Sequence, residues 1–309
     1  MNSERLSSRQ LAVAVMTGGL SAGAAAAGRT DWRWLLPAAA LGTVLGALLL
    51  WRLGGGTLHP ALRALYAAWA AVLMADVLSR SAARLREGPA DGTSIGWIAV
   101  LLALPLIWMG WGKAAAFFRA VEIFWLAVLA TVGAILLLGL PRINWDWALA
   151  PAGDWKSSLG AGVLTMSTGL FALPLIYNVK PEENGAKRGL VWLGTLGVLS
   201  SVLALLTAGL LHPAVAAELN GPFFGAAGLL GDSARLEGLV SALWLLPDLT
   251  LAGLLSRSWG ERRWPALGVL AALGLALTGA ADILPECTLP LGCLALAALT
   301  AALPPKGEK

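Results

Sequence analysis

Long apolar runs, closed by short polar or glycine- and proline-rich breaks, organise the whole chain. Ten can be marked out, at 11–27, 34–53, 60–85, 94–111, 114–140, 157–177, 189–211, 236–255, 264–281 and 288–303. Most approach the length of about 20 apolar residues that carries a helix across a bilayer. They lack the apolar–polar alternation of a lipid-facing barrel strand. Backbone polar groups in lipid have no water to bond, so each run must satisfy its own N–H and C=O groups as a helix. Leu and Ala dominate the runs, and both are good helix formers. Two connections stand out. The polar, Trp-rich stretch 141–156 separates the fifth and sixth segments. The glycine-studded stretch 213–232 reads as a loop lying on the membrane, with room for a short interfacial helix.

Composition sharpens this pattern. Of 309 residues, 58% are hydrophobic and 13% charged, against about 25% charged in an average soluble domain. That excludes a water-soluble globular enzyme, a disordered segment and a nucleic-acid-binding domain. The expectation is an all-α integral membrane protein of about ten transmembrane helices, a single domain over 1–309. The polar start, 1–10, and the missing small-residue cleavage pattern lead us to expect that the first segment is retained.

Charge then orients the bundle. With the N-terminus inside, 14 of the 22 Lys and Arg residues fall on the inner side and 8 outside, including Arg80 and Arg84. The strongest local marker is Arg257, Arg262 and Arg263 in one short loop. Most of the 15 Trp residues lie near segment boundaries, as in an interfacial belt.

The ten segments divide into two sets of five, about 10–140 and about 157–303, and the first of each set is rich in glycine. Paired interruptions at matching positions point to a midplane ligand site, because a broken helix frees backbone groups to bind. Close helix packing explains the same glycines equally well. Intramembrane charge carries more information, because each buried charge needs a partner or a wet cavity. Asp248 follows Pro247 near the middle of segment eight and has no evident partner in sequence. A carboxylate beside the carbonyl that Pro247 leaves open could hold a cation, a proton or a substrate ammonium. Asp76 with Arg80 and Arg119 with Glu122 have the spacing of intrahelical pairs.

Catalytic chemistry finds little material. There is no nucleophile elbow, zincin, Walker or dinucleotide pattern. Cys287 and Cys293 read as unpaired thiols, and His59 and His212 each precede a proline at a helix end. No enzyme activity, metal or cofactor is expected.

Several short stretches resemble one family. Ser7-Ser8-Arg9-Gln10-Leu11 looks like the S-x-R-Q-L start of spore-germination permeases, the B subunits of nutrient germinant receptors in the amino acid–polyamine–organocation superfamily. Arg119 to Ile123 resembles the family's R-x-x-E-I at its fifth helix. Leu140-Pro141 and Leu149-Ala150-Pro151 resemble its P-x-x-D…L-x-P connection. Gly221-Pro222 through Arg235-Leu236-Glu237 to Trp244 resembles its entry to helix eight. The argument lies in their order and spacing across nearly the whole chain. The chain departs from the pattern at 92–94, Gly-Thr-Ser, where the family often has a proline.

The resemblance implies a LeuT-like 5+5 inverted repeat, with a ligand between helices one, three, six and eight. On this chain that points to Thr17, Gly18, Gly19 and Ser21 in segment one, and to Thr165, Ser167, Thr168 and Gly169 in segment six. It also points to Asp248 in segment eight, and to Tyr66 or Asp76 in segment three. The implied partners are receptor A and C subunits and a small nutrient, usually an amino acid. The implied location is the bacterial cytoplasmic or inner spore membrane. Three functions compete: a ligand-sensing receptor subunit, a proton- or sodium-coupled amino acid or amine transporter, and a structural membrane subunit. The scarcity of buried ionisable groups favours sensing, because a proton-coupled carrier needs a relay.

Overall fold

The computed structural model describes residues 7–27, 30–52, 59–87, 90–150, 155–156, 159–160, 163, 185–219, 221–231, 235–260, 263–279 and 288–303. Among them the fold is all-helical, and the sole β feature is an isolated bridge between Ala27 and Thr30. The helices in chain order are α1 (Ser8–Ala26), α2 (Trp32–Arg52), α3 (Pro60–Glu87), α4 (Ile95–Trp111) and α5 (Ala114–Gly139). A 3-10 turn, Leu140–Arg142, leads to α6 (Trp145–Leu149), and α7 follows at Gly185–Leu210. Then come the short α8 (Pro213–Glu218) and α9 (Pro222–Gly228), and last α10 (Arg235–Leu243), α11 (Leu245–Arg257), α12 (Trp264–Leu277) and α13 (Thr288–Ala302). Four described stretches are long and apolar enough to cross a membrane: Pro60–Glu87, Ala114–Arg142, Val191–Leu210 and Leu236–Arg257.

Local sequence explains the helix boundaries. Ser7 and Gln10 form a reciprocal capping box, the Gln10 amide donating to Ser7 Oγ and the Ser7 amide to Gln10 Oε1. The two residues thereby satisfy donors that the first turn leaves orphaned. Ser94 caps α4 through the Trp97 amide. Asn144 caps α6 through Asp146 and Trp147, and its own amide donates to Gly209 of α7 at 2.9 Å. His59 and His212 accept from the amides two residues on, through Nδ1, where α3 and α8 begin.

α1 is the central strut. Every residue from Val13 to Ala24 is buried, against α5, α7 and α11. α3 packs on α4, α11, α12 and α13, and α2 lies along α7. One apolar core joins α3, α4, α11, α12 and α13. A second joins α1, α2, α5, α7 and α9 around Trp244.

Three expectations need correction, and a fourth is made more specific. Segment one is not broken: α1 runs through Thr17, Gly18 and Gly19 without interruption. Its glycines serve close packing instead. A Cβ on Gly18 would lie 3.1 Å from the Leu251 Cα of α11, and one on Gly19 would collide with Leu196 of α7. The interruption of segment eight falls at Trp244, beside the Leu243 carbonyl that Pro247 leaves without its donor, as expected. The proline ring obstructs the carbonyl four residues back, so the disturbance appears on that side. Stretch 213–232 does not lie wholly at the surface: Phe223 is fully buried and Phe224 nearly so, both packed on Trp244. Finally, Glu122 pairs with α1 and not with Arg119. Gln10 Nε2 reaches it at 3.5 Å and Arg9 at 3.8 Å. Two of the short stretches that carried the resemblance therefore meet in space, fastening the start of α1 to α5.

Candidate functional site

Asp248 lies in the first turn of α11, just past the irregular residue Trp244, and is 4% exposed. Three side chains from two other helices converge on it. Ser21 of α1 donates to Oδ1 at 2.5 Å. Ser81 of α3 donates to Oδ2 at 2.8 Å, and Arg84 of α3 donates to the same oxygen from Nη2 at 2.6 Å. Asp248, which has no evident partner in the sequence, is thus paired in the structure. Its partner is Arg84, which sequence reading assigned to the outer side among the topology-marking charges.

α3 delivers both groups because Leu73, Val77, Ser81 and Arg84 are spaced four, four and three apart and share one face. Leu73, Val77 and Ser81 are buried. Arg84 ends that face with its side chain only 11% exposed. Its guanidinium carbon sits 4.5 Å from the centre of the Phe224 ring, so an aromatic face covers the cation. Phe224, Phe223 and Trp244 form one aromatic group, with Phe223 and Trp244 ring centres 4.7 Å apart.

Chemically, the cluster is a buried ion pair reinforced by two hydroxyls. A carboxylate offers about four lone-pair directions, and three are filled here. Taking both charges out of water is costly, and their attraction repays it only when the remaining hydrogen bonds are also made. Ser21 and Ser81 make them on the carboxylate side. Asp76 and Arg80 form the expected i, i+4 pair at 2.8 Å, with both side chains about a quarter to a third exposed.

The other predicted site residues separate. Ser21 and Asp248 come together. Thr17 is buried next to Gly18, and its hydroxyl donates to the Val13 carbonyl at 2.7 Å, one turn back in α1. The Tyr66 hydroxyl lies 3.0 Å from Thr300 Oγ1 of α13. Thr165, Ser167, Thr168 and Gly169 lie outside the described residues. Ser81, Arg84, Phe224 and Trp244 were missed as site residues. For Arg84 the usable signal was its place on the apolar face of segment three.

A second polar anchor lies at the far end of α11. Arg257 is 5% exposed and donates from Nη2 to the carbonyls of Met109, at 2.6 Å, and Gly112, at 3.0 Å. It thus ties α11 to the C-terminal end of α4, a structural role beyond the orientation marker expected from sequence. The sequence matches no protein-family model and no curated protein.

Proposed function

We propose that this chain is a permease-like membrane subunit that senses a small nutrient, in the manner of the B subunit of a spore germinant receptor. In this reading its ten segments form a LeuT-like 5+5 bundle that works with A and C subunits in the spore inner membrane. The supporting observation is the Asp248 cluster. Segments one, three and eight, which the resemblance names as ligand walls, meet there through Ser21, Ser81, Arg84 and Asp248. The same cluster argues against a coupled transporter. Its carboxylate is neutralised by Arg84 and largely saturated, so it is poorly placed to load and release a proton or Na⁺ on each cycle.

The test is germination timing in a strain lacking this chain, together with uptake by the purified protein in proteoliposomes. Delayed response to particular nutrients, without uptake, is the expected result. Uptake abolished by Asp248→Asn would establish the transporter reading instead. Normal germination of the deletion strain to every nutrient tried would end the receptor reading.

A further inference from the structure

The start of α1 and the first turns of α5 carry more positive charge than the carboxylate between them can match. Glu122 of α5 is reached by Gln10 at 3.5 Å and by Arg9 at 3.8 Å, and the Arg9 side chain is 79% exposed. Arg119 stands three residues before Glu122, and residues at that spacing on a helix are neighbours, about 5–6 Å apart at Cβ. Arg119 is exposed, and among the described residues no ion pair joins it to a carboxylate. Two guanidinium groups thus flank one carboxylate, and the exposed Lys113, the N-cap of α5, adds to the excess at the same end.

Depth and neighbours narrow what fits there. The stretch Ala114–Arg142, long and apolar enough to cross a membrane, holds 29 residues. That is about 43 Å at 1.5 Å per residue, against about 30 Å of bilayer hydrocarbon. A centred span leaves roughly 6–7 Å at each end, and Arg119, five residues in, lies about 7.5 Å from the start. It therefore sits where headgroups meet acyl chains. Helical side chains lean toward the N-terminus, so the guanidinium reaches toward the headgroups while its stem stays along apolar surface. Ile123, Leu126 and Ala130 follow on the same face at intervals of four, three and four, and all are exposed, Ile123 by 69% and Leu126 by 68%. A soluble phosphate would use only the arginines, and a zwitterionic headgroup would bring its own cation against them. We infer that Arg9 and Arg119 hold the phosphate of an anionic phospholipid, whose acyl chain lies along Ile123, Leu126 and Ala130. The headgroup adds a polar bridge between α1 and α5 beside Glu122. The site is separate from the Asp248 cluster and stands whether or not the chain senses a nutrient.

The experiment uses the full chain purified in a neutral detergent. It is titrated with phosphatidylglycerol and with phosphatidylcholine of the same acyl chains, and binding is read by native mass spectrometry and by thermal stabilisation. Phosphatidylglycerol is expected to bind about 25-fold more tightly, the joint worth of two basic residues at an anionic headgroup. Arg9→Gln and Arg119→Gln should each reduce that preference about fivefold, and the double variant should abolish it. Arg119→Lys, which keeps the charge, should retain most of it. Arg63→Gln removes an exposed arginine from α3 and should change nothing. Equal binding of the two lipids, or a preference that survives the double variant, overturns the inference. An equal loss in Arg63→Gln also overturns it, because the attraction would then be to diffuse surface charge. Full displacement of phosphatidylglycerol by the same concentration of glycerophosphate would make this a soluble-anion site and overturn the lipid assignment.

Discussion

Arg84 and Asp248, 164 residues apart in sequence, are joined by a 2.6 Å bond from Nη2 to Oδ2. Ser21, 227 residues before Asp248, closes on the other carboxylate oxygen. One carboxyl group thereby fixes the relative positions of α1, α3 and α11. In a bilayer, helices gain little from hydrophobic exclusion and associate through packing and polar contacts. A shared carboxylate is therefore well suited to hold three helices in one arrangement.

Removing either member of the pair should be severe. Asp248→Ala or Arg84→Ala strands a buried charge, and the expected loss is about 3–5 kcal/mol each. The double variant Asp248→Ala/Arg84→Ala should be far less damaged than the sum of the two, since it leaves no orphan charge. Unfolding by denaturant in detergent micelles measures the three variants. Additive losses would show that the two side chains are not energetically linked.

The neighbouring pair provides the contrast. Asp76 and Arg80 sit one turn apart with both side chains partly exposed, and such intrahelical pairs are worth about 0.3–0.5 kcal/mol. Asp76→Asn should leave unfolding in the same assay nearly unchanged. A loss as large as that of Asp248→Ala would mean that Asp76 has a structural load its geometry does not reveal.

How far these features were legible in the sequence depends on whether they are local. Helix positions were readable because apolar length is a property of contiguous residues: segment 94–111 became Ile95–Trp111 and segment 288–303 became Thr288–Ala302. The Asp76–Arg80 pair was readable for the same reason, being four residues apart. The partner of Asp248 was not, because no local rule links positions 84 and 248. Counting Arg84 toward orientation treated charge as a loop property, although the residue continues the buried face of Leu73, Val77 and Ser81. Glycine in segment one fitted both a broken helix and a close crossing. The distinction rests on Leu251 and Leu196, which lie on helices far away in sequence.

That crossing can be tested directly. A methyl group on Gly18 would sit 3.1 Å from the Leu251 Cα, which belongs to backbone and cannot turn aside. Gly18→Ala should therefore cost about 1–3 kcal/mol through overpacking, and Gly18→Leu should prevent α1 and α11 from docking. Gly133 has nothing within 4 Å of an added Cβ, so Gly133→Ala should be neutral or slightly stabilising in the same unfolding assay. If Gly18→Ala is as well tolerated as Gly133→Ala, the close approach of α1 to α11 is wrong.

Tyr66 separates a packing role from a ligand role. Its ring is fully buried in the core of α3 and its hydroxyl meets Thr300, so removing the hydroxyl should act on the docking of α13. Tyr66→Phe is expected to cost about 0.5–1.5 kcal/mol, the net worth of one hydrogen bond, and to speed proteolysis at the C-terminal end. On the proposed nutrient-sensing reading, ligand affinity in nanodiscs should not change. A selective loss of affinity at unchanged stability would return Tyr66 to the ligand wall that the family resemblance implied.

Arg257 yields the last prediction, because orientation and stability make different demands on it. If its charge served chiefly to hold a loop on the inner side, neutralising it would weaken the positive bias while leaving the folded protein intact. Its geometry says otherwise: the guanidinium is buried and bonded to the Met109 and Gly112 carbonyls, and its carbon lies 5.8 Å from the Phe117 ring centre. These carbonyls belong to the last turn and cap of α4; Met109 also accepts the Gly112 amide, and Gly112 lies just past the last helical residue. Removing a charged donor from them should cost about 1.5–3 kcal/mol per bond lost. Arg257→Gln is thus expected to lower stability clearly, while the orientation expected from the other Lys and Arg residues is kept. Cysteine labelling from each side of the membrane reads orientation, and thermal unfolding of the same variant reads stability. An inverted chain of normal stability would make Arg257 a topology signal after all, whereas a correctly oriented but weakened one makes it the clasp between α11 and α4.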